Sequence, residues 1–310
     1  MKKIFIDGKA GTTGLRIEER LSARGDVEIL TLPEELRKNS EARRKMLNSV
    51  DIVFLCLPDV AAVEAVEMID NPEVVVIDTS TAHRTNPDWA YGFPELDAQF
   101  EERIKSSKRI AVPGCHAGGF IALVYPLIKA GIISPEQLLV AHSLTGYSGG
   151  GKKMIAEYEV ESRSALLDAP RQYGVSQGHK HLPEMVKIAG LRNAPVFSPI
   201  VADFYSGMEV TVPLFAEWLG GKTADDIKKV YKNLYTGPIV SYREGVDEGG
   251  FLSAGALSGK DIMQIEVYGN GDRILLVARY DNLGKGASGA AVECLNIVLG
   301  EDKSKTLIID

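Results

Sequence analysis

Residues 2–14 read KKIFIDGKAGTTG. A short apolar run, Lys2 to Asp7, stops at Gly8, and glycines recur at positions 11 and 14. The run reads as a buried strand. A helix follows to about Arg24, with Thr12 or Thr13 able to cap it and Leu15, Ile17 and Leu21 on its apolar side. Glycines at such a turn let the backbone bend tightly and approach a diphosphate. The free N–H groups and the dipole of the helix then attract the anion. The spacing is G-x-x-G-x-x-G, not the commoner G-x-G-x-x-G, and an ordinary glycine-rich strand-to-helix turn is the competing reading. Its place at the head of a strand–helix series favours a dinucleotide, with Gly8, Gly11, Thr12, Thr13 and Gly14 as the cofactor turn.

The pattern continues outward from that turn. Apolar strands are expected at 27–32, 51–57, 73–78 and 109–113, with helices at 34–48, 60–69 and 116–130 between and after them. Short apolar strands alternating with helices mean a parallel, doubly wound α/β sheet, a Rossmann domain. After about residue 131 the strands lengthen and alternate: 138–148, 208–218, 262–270 and 273–282. These predict a second, α+β domain on a mixed or antiparallel sheet. Asn270-Gly271 is expected to supply the positive φ angles of a hairpin turn. Residues 284–300 return to a helix with small residues at its start. The expected division is 1–114 plus 285–310 for nucleotide binding, and 115–284 for catalysis and oligomerisation.

With 310 residues, 45% hydrophobic and 25% charged, the chain reads as an ordinary soluble protein. A net charge of −7 disfavours nucleic acid and anionic membrane surfaces as partners. The most apolar stretch, residues 118–133, is broken by Pro126 and Lys129, so no membrane span is expected. Three scattered cysteines suit a reducing compartment, and the chain is expected to be cytoplasmic.

One of those cysteines is placed unlike the others. Cys115 lies in IAVPGCHAGGF, residues 110–120, on a turn that opens a helix. A helix N-terminus stabilises a thiolate, so Cys115 is a candidate nucleophile, against the alternative of an inert turn residue. Cys56 falls inside a strand and Cys294 inside the last helix, so both read as small core residues. His179 and His181 stand in GHKHLPEM, ahead of Pro183 and Glu184. They are candidate general acid/base partners of the cysteine. An H-x-H pair can also bind a metal, but no accompanying ligand motif is present, and no metal is expected. Ser80 and Arg84, in DTSTAHR after the fourth strand, could bind phosphate or carboxylate, or could form a plain polar loop. Ser148 and Gly149, in GYSGGGKK, could form an anion nest or a hinge. Glu34 and Glu35 near the second strand would favour NAD, whereas Arg37, Lys38, Arg43 and Arg44 would favour NADP.

Taken together, the glycine turn, VPGCHAGGFIAL, HKHLPE and DNLGKGASGAA resemble N-acetyl-gamma-glutamyl-phosphate reductase. IDGKAGTTG, DTSTAHR and the chain length resemble its short form. The resemblance spans nearly the whole chain. It implies NADP as cofactor, Cys115 as nucleophile, and His181 as acid/base with His179 not separable from it. Asn282 and Gly284 would lie by the nicotinamide, and Ser80, Arg84, Ser148, Gly149 and Glu184 would contact substrate. It implies reduction of an acyl phosphate to an aldehyde through a cysteine thioester, in arginine biosynthesis, by a homo-oligomer, dimer or tetramer. His116 departs from the long form, which usually has tyrosine after the nucleophile. Rival expectations are a different acyl phosphate (aspartyl, or carrier-linked aminoadipyl or glutamyl) and a non-catalytic NADP sensor.

Overall fold

The computed structural model describes all residues, 1–310. Two compact units divide the chain. The first holds Met1–Pro94, Ala98–Gly114 and Ala287–Leu307, and the second holds Glu95–Asp97, Cys115–Gly286 and Ile308–Asp310.

The first unit runs β1 (Lys2–Asp7), α1 (Thr12–Ser22), β2 (Val27–Leu30), α2 (Ser40–Ser49), β3 (Ile52–Leu55), α3 (Asp59–Glu67), β4 (Val75–Asp78), β5 (Ala90–Tyr91), α4 (Ala98–Ser106) and β6 (Arg109–Ala111). The six strands form one sheet in the order β2-β1-β3-β4-β6-β5, and every pairing is parallel. β3 and β4 are buried along their whole length, which is why they read as unbroken apolar runs. Phe5, Leu47, Val53, Leu55 and Val76 belong to the core beside them. The C-terminal helix Gly289–Leu299 returns to this unit, packing on β4 and α1. Because β2 and β3 flank β1 on opposite sides, the strand order reverses at β1. A crevice opens there at the carboxyl ends of β1 and β3.

Two local expectations are corrected. The charged segment 34–48 is not one helix: a short 3-10 turn, Glu34–Leu36, is followed by α2, whose N-cap Asn39 accepts from the Ala42 N–H. Asn39 competes for the backbone and restarts the helix there. Neither Thr12 nor Thr13 caps α1. Its N-cap is Gly11, with no side-chain cap.

The second unit runs α5 (Cys115–Lys129), β7 (Val140–Gly146), α6 (Gly151–Glu159), β8 (Arg171–Gln172), α7 (Leu182–Ala189), β9 (Val196–Ala202), β10 (Met208–Phe215), α8 (Ala224–Leu234), β11 (Val240–Tyr242), β12 (Met263–Gly269) and β13 (Arg273–Tyr280). Its sheet order is β11-β12-β13-β10-β7-β9-β8. The sheet is mixed: β7–β9 and β11–β12 are parallel, the other pairs antiparallel. Met208, Val210, Val212 and Leu214 alternate onto the buried face of β10, and α5 packs against β10 and β13. The β12–β13 hairpin forms, but the positive φ falls on Gly269, not on Asn270 or Gly271. Asn270 instead uses its side-chain oxygen to accept the N–H groups of Asp272 and Arg273.

α5 carries the candidate nucleophile at its first residue and is buried along most of its length. Pro126 sits inside it. A proline has no N–H, so the carbonyl four residues back loses its helical donor. That carbonyl is Ala122, and the buried Tyr235, which caps the C-terminus of α8, donates to it at 2.6 Å. Tyr231, one turn earlier on α8, donates to the Leu123 carbonyl. The helix is therefore held by side chains where its sequence would weaken it.

Candidate active site

At two of its glycines the turn of the first unit leaves space only for backbone. Gly8 has φ +85°, and a Cβ there would lie 2.2 Å from the Cys56 carbonyl oxygen. A Cβ on Gly14 would lie 2.7 Å from Lys9 Cα. Thr12 and Thr13 open α1, whose first-turn N–H groups meet no capping side chain. This is the geometry a diphosphate requires. A cavity of about 650 Å³ adjoins the turn, lined among others by Gly8, Thr31, Glu35, Arg37, Lys38 and Leu57. Both cations and carboxylates line it, Lys9, Arg37, Lys38 and Arg43 beside Asp7, Glu34 and Glu35. Of the four candidate cations, Arg44 is elsewhere, paired with Asp70 at 2.5 Å. Arg43 is held 2.7 Å from the buried Asp7 at the end of β1. Arg37 lines the cavity but pairs with Glu34, and Lys38 is exposed at its edge.

In the second unit, Cys115 begins α5 and is partly exposed. Cys294 is buried with its Sγ 3.7 Å from the Gly92 carbonyl, and burial pushes the Cys56 thiol up to about 12. Neither can supply a thiolate near neutral pH as readily as a cysteine at a helix N-terminus.

His116 follows the nucleophile and is buried. Its Nδ1 lies 2.6 Å from Ser143 Oγ and its Nε2 2.6 Å from Tyr173 Oη. Burial, then the charge of His179, lowers its pKa to about 3, so the ring is neutral at working pH. The rings of His179 and His181 lie 5.7 and 5.6 Å from that of His116, and 4.8 Å from each other. Burial raises the Tyr173 phenol, with a second contribution from the charge of Cys115, which puts Tyr173 in the electrostatic reach of the thiol. One cluster therefore gathers Cys115, His116, Tyr173, His179 and His181. No group of its side chains has the geometry of a metal site.

The two candidate histidines differ in one decisive contact. The backbone N–H of His181 donates to Nδ1 of His179 at 3.2 Å. That bond assigns His179 the tautomer with its proton on Nε2, and picking up a second proton on Nδ1 would break it. Burial and the neighbouring Lys180 lower the His179 pKa as well. His181 is the N-cap residue of α7, with Pro183 in the first turn and buried Glu184 at the third helical position. α7 packs against α5.

Other candidates fall into two groups. Ser148, Gly149 and Asn282 come together: Asn282 Nδ2 donates to the buried Ser148 Oγ at 3.0 Å and stands 3.3 Å from where a Gly149 Cβ would be. Asn282 Oδ1 accepts the Gly207 N–H, so the amide is fixed at both ends. Gly284 begins one π-helical turn, Gly284–Ser288, and a Cβ there would meet the Lys260 carbonyl at 2.1 Å. Ser80 and Arg84, in the first unit, are built into their own loop. Ser80 Oγ donates to Asp78 at 2.7 Å, while Arg84 donates through Nε to the Val112 carbonyl and through Nη2 to the Thr79 carbonyl. In place of a presented hydroxyl and cation, both are buried groups that fix the ends of β4 and β6, the latter four residues ahead of Cys115. Sequence reasoning missed Ser143 and Tyr173. Neither stands in a motif, and only the pairing of β7 with β9, and β9 with β8, draws them in.

The comparisons with known proteins bear on the fold and the family. The family described as "Semialdehyde dehydrogenase, NAD binding domain" matches residues 3–106, and "Semialdehyde dehydrogenase, dimerisation domain" matches 115–282. Among solved structures, aspartate semialdehyde dehydrogenase II from Vibrio cholerae superposes with a TM-score of 0.70 at 17% identity, covering 97% of this chain and 98% of that one. An aspartate semialdehyde dehydrogenase with NADP from Candida albicans gives 0.68 at 14%, covering 96% and 98%. These likenesses speak for the fold. Sequence relatives are nearer. N-acetyl-gamma-glutamyl-phosphate reductase of Rhizobium meliloti (strain 1021) is 46% identical over 305 residues, 96% of this chain and 98% of that one. The enzyme numbered 2 of that name from Pseudomonas putida is 43% identical over 303 residues, 96% of both. Two domain matches in the expected order and whole-length identity above 40% place the chain in the N-acetyl-gamma-glutamyl-phosphate reductase family.

Proposed function

We propose that this chain reduces N-acetyl-gamma-glutamyl phosphate to N-acetylglutamate 5-semialdehyde and phosphate with NADPH, a step of arginine biosynthesis. The observation that carries the reading is Cys115, partly exposed at the N-terminus of α5 within a cluster of imidazoles and a phenol. The Cys115 thiolate attacks the acyl carbon, the carbon–oxygen bond to phosphate breaks, and the acyl group rests on Sγ as a thioester. A thioester accepts hydride far more readily than a carboxylate, and bound NADPH supplies that hydride. His181 is assigned the proton at the thiohemiacetal oxygen: it gives its proton to the oxyanion left by hydride transfer, then takes it back as the carbon–sulfur bond breaks, the aldehyde leaves and the Cys115 thiolate is restored. His179, with Nδ1 engaged by the His181 N–H, is assigned a donor role through its Nε2 proton.

The remaining roles follow from placement. Gly8, Gly11, Thr12, Thr13 and Gly14 would hold the diphosphate, and Arg37 and Lys38 the 2′-phosphate. Asn282 and Gly284 are assigned to the nicotinamide end. Ser148, Gly149 and Glu184 are assigned to substrate, and Ser80 and Arg84 are proposed as substrate residues of the first unit, where they fix the ends of β4 and β6. Nucleotide binding is assigned to 1–114 plus 285–310, and catalysis and oligomerisation to 115–284. A homo-oligomer accords with the dimerisation domain that matches residues 115–282. A cytoplasmic location is proposed, and no helix is long and apolar enough to cross a membrane.

The test runs the reaction backwards. The protein is mixed with N-acetylglutamate 5-semialdehyde, phosphate and NADP, and reduced nicotinamide is followed by absorbance. Aspartate semialdehyde and NAD are run in parallel. Phosphate-dependent reduction with the acetylated aldehyde is expected. Reaction with aspartate semialdehyde alone would move the chain to the other substrate.

A further inference from the structure

The first turn of α5 contains a contact that the chemistry above does not use. Tyr280, the last residue of β13, is buried, and its hydroxyl donates to the carbonyl of Cys115 itself at 2.5 Å. The same hydroxyl accepts the N–H of Gly119 at 3.2 Å. Cys115 carbonyl and Gly119 N–H are the acceptor and donor that one turn of helix pairs with each other. A phenol from another element lies across that pair. Gly119 makes room for it: a Cβ there would come 2.5 Å from the Tyr280 oxygen and 2.8 Å from Val210 Cγ2. Gly286 makes room on the other side, since its Cβ would lie 3.2 Å from Cys115 Cβ and 3.4 Å from the Tyr280 ring.

We infer that Tyr280 is a positioning residue for the nucleophile: its hydroxyl, laid across the first turn of α5, fixes the Cys115 peptide and so aims the Cβ–Sγ bond. A side chain's direction is set by its backbone, and helix ends fray unless they are tied. Here the tie is made at the reacting residue, by a group anchored in the central strands of a seven-stranded sheet. Burial, and then the charge of Cys115, raise the Tyr280 phenol well above its ordinary value, so the tie keeps its proton across the working range. A misplacement of about 1 Å at a reacting atom costs on the order of a hundredfold in rate. A hydroxyl that holds one peptide in place can therefore matter to turnover while mattering little to folding. Without it, the Gly119 N–H and Cys115 carbonyl still have each other.

This inference rests on Cys115 being the nucleophile but not on which acyl phosphate is reduced, so its test reads the thiol directly. The variant is Tyr280→Phe in the full-length protein, with Tyr235→Phe as control. Tyr235 also bonds an α5 carbonyl, but at Ala122, two turns from the nucleophile. Iodoacetamide labelling at Cys115 is followed by mass spectrometry from pH 5 to 9, with kcat, KM and thermal midpoint alongside. Tyr280→Phe should lower kcat about tenfold or more, leave KM within about threefold, and change the height or midpoint of the labelling profile. Tyr235→Phe should leave the labelling profile unchanged and lower the thermal midpoint. A Tyr280→Phe protein whose labelling profile superimposes on the parent overturns the inference, whatever happens to its stability. So does a profile that shifts equally in both variants.

Discussion

At Gly8–Gly14 the groups offered to a ligand are main-chain N–H groups, with side chains kept out. Around Cys115 they are a thiol, three imidazoles and a phenol, with side chains crowded in. The difference follows from the tasks. A diphosphate is a fixed anion that any row of N–H donors can hold, so glycine spacing suffices. Acyl transfer needs a nucleophile and a proton carrier with different proton affinities, and only side chains can be tuned that way. The two regions should therefore fail differently when changed.

Cys115→Ser should have the largest effect. Turnover should fall by at least about a thousandfold, because a serine hydroxyl is not ionised near neutral pH and its ester is a poorer hydride acceptor than a thioester. NADPH binding, followed by nicotinamide fluorescence, should keep its Kd within about twofold, since an interaction removed only from the reacting side chain leaves ground-state binding in place. Retained turnover would remove the contrast between a chemical region and a binding region.

The histidine pair sharpens the chemical side. His181→Gln should lower kcat by about a hundredfold or more, the usual worth of a general acid/base. His179→Gln should cost about tenfold, because a glutamine can still donate a hydrogen bond while the parent ring has Nδ1 engaged by the His181 N–H. If the losses are reversed, the proton carrier is His179, and the hydrogen bond that assigns its tautomer opens during the reaction. The kcat measurements of the two single variants decide between them.

Gly14→Ala tests the binding side. Its Cβ would press on Lys9 Cα at 2.7 Å and on the Gly8 carbonyl at 2.9 Å, both backbone atoms that cannot rotate away. The turn must shift, and NADPH affinity should fall about tenfold, or about 1.4 kcal/mol. Iodoacetamide labelling of Cys115 without nucleotide should be unaffected. Loss of labelling together with affinity would mean that the turn does more than bind.

How much of each region was legible follows the same division. The nucleotide turn, the all-parallel sheet and the buried runs of β3 and β4 could be read because local periodicity and glycine spacing specify them. Cys115 could be read because its turn is local too. Tyr173, Ser143 and Tyr280 could not, since each reaches α5 through strand pairing across the second unit's sheet, at sequence separations of 57, 27 and 165 residues. The parallel pairing of β7 with β9 was equally hidden, because β9 itself was not read as a strand: Pro199 interrupts its apolar run. The helix expected over 34–48 failed for a local reason: Asn39 caps a new helix in mid-segment.

The smallest expected effect concerns stability, and it too separates the regions. His116 is enclosed in the second unit with its pKa lowered to about 3, first by burial and then by the charge of His179. In the unfolded chain a histidine titrates near 6.5. Between those values the unfolded state binds a proton that the folded state refuses, so stability present above about pH 6.5 is lost as pH falls toward 3. By pH 5 the loss from this one residue should be about 1–2 kcal/mol. Replacing the ring by an amide, His116→Gln, keeps a donor and an acceptor for Ser143 and Tyr173 but removes the titration. Urea unfolding at pH 8 and pH 5 should show the parent losing more stability than the variant over that interval, even if the variant starts lower. Equal slopes would mean that the folded ring takes up a proton without difficulty. His116 would then be able to exchange protons beside Cys115, and the assignment of proton transfer to His181 would have to include it.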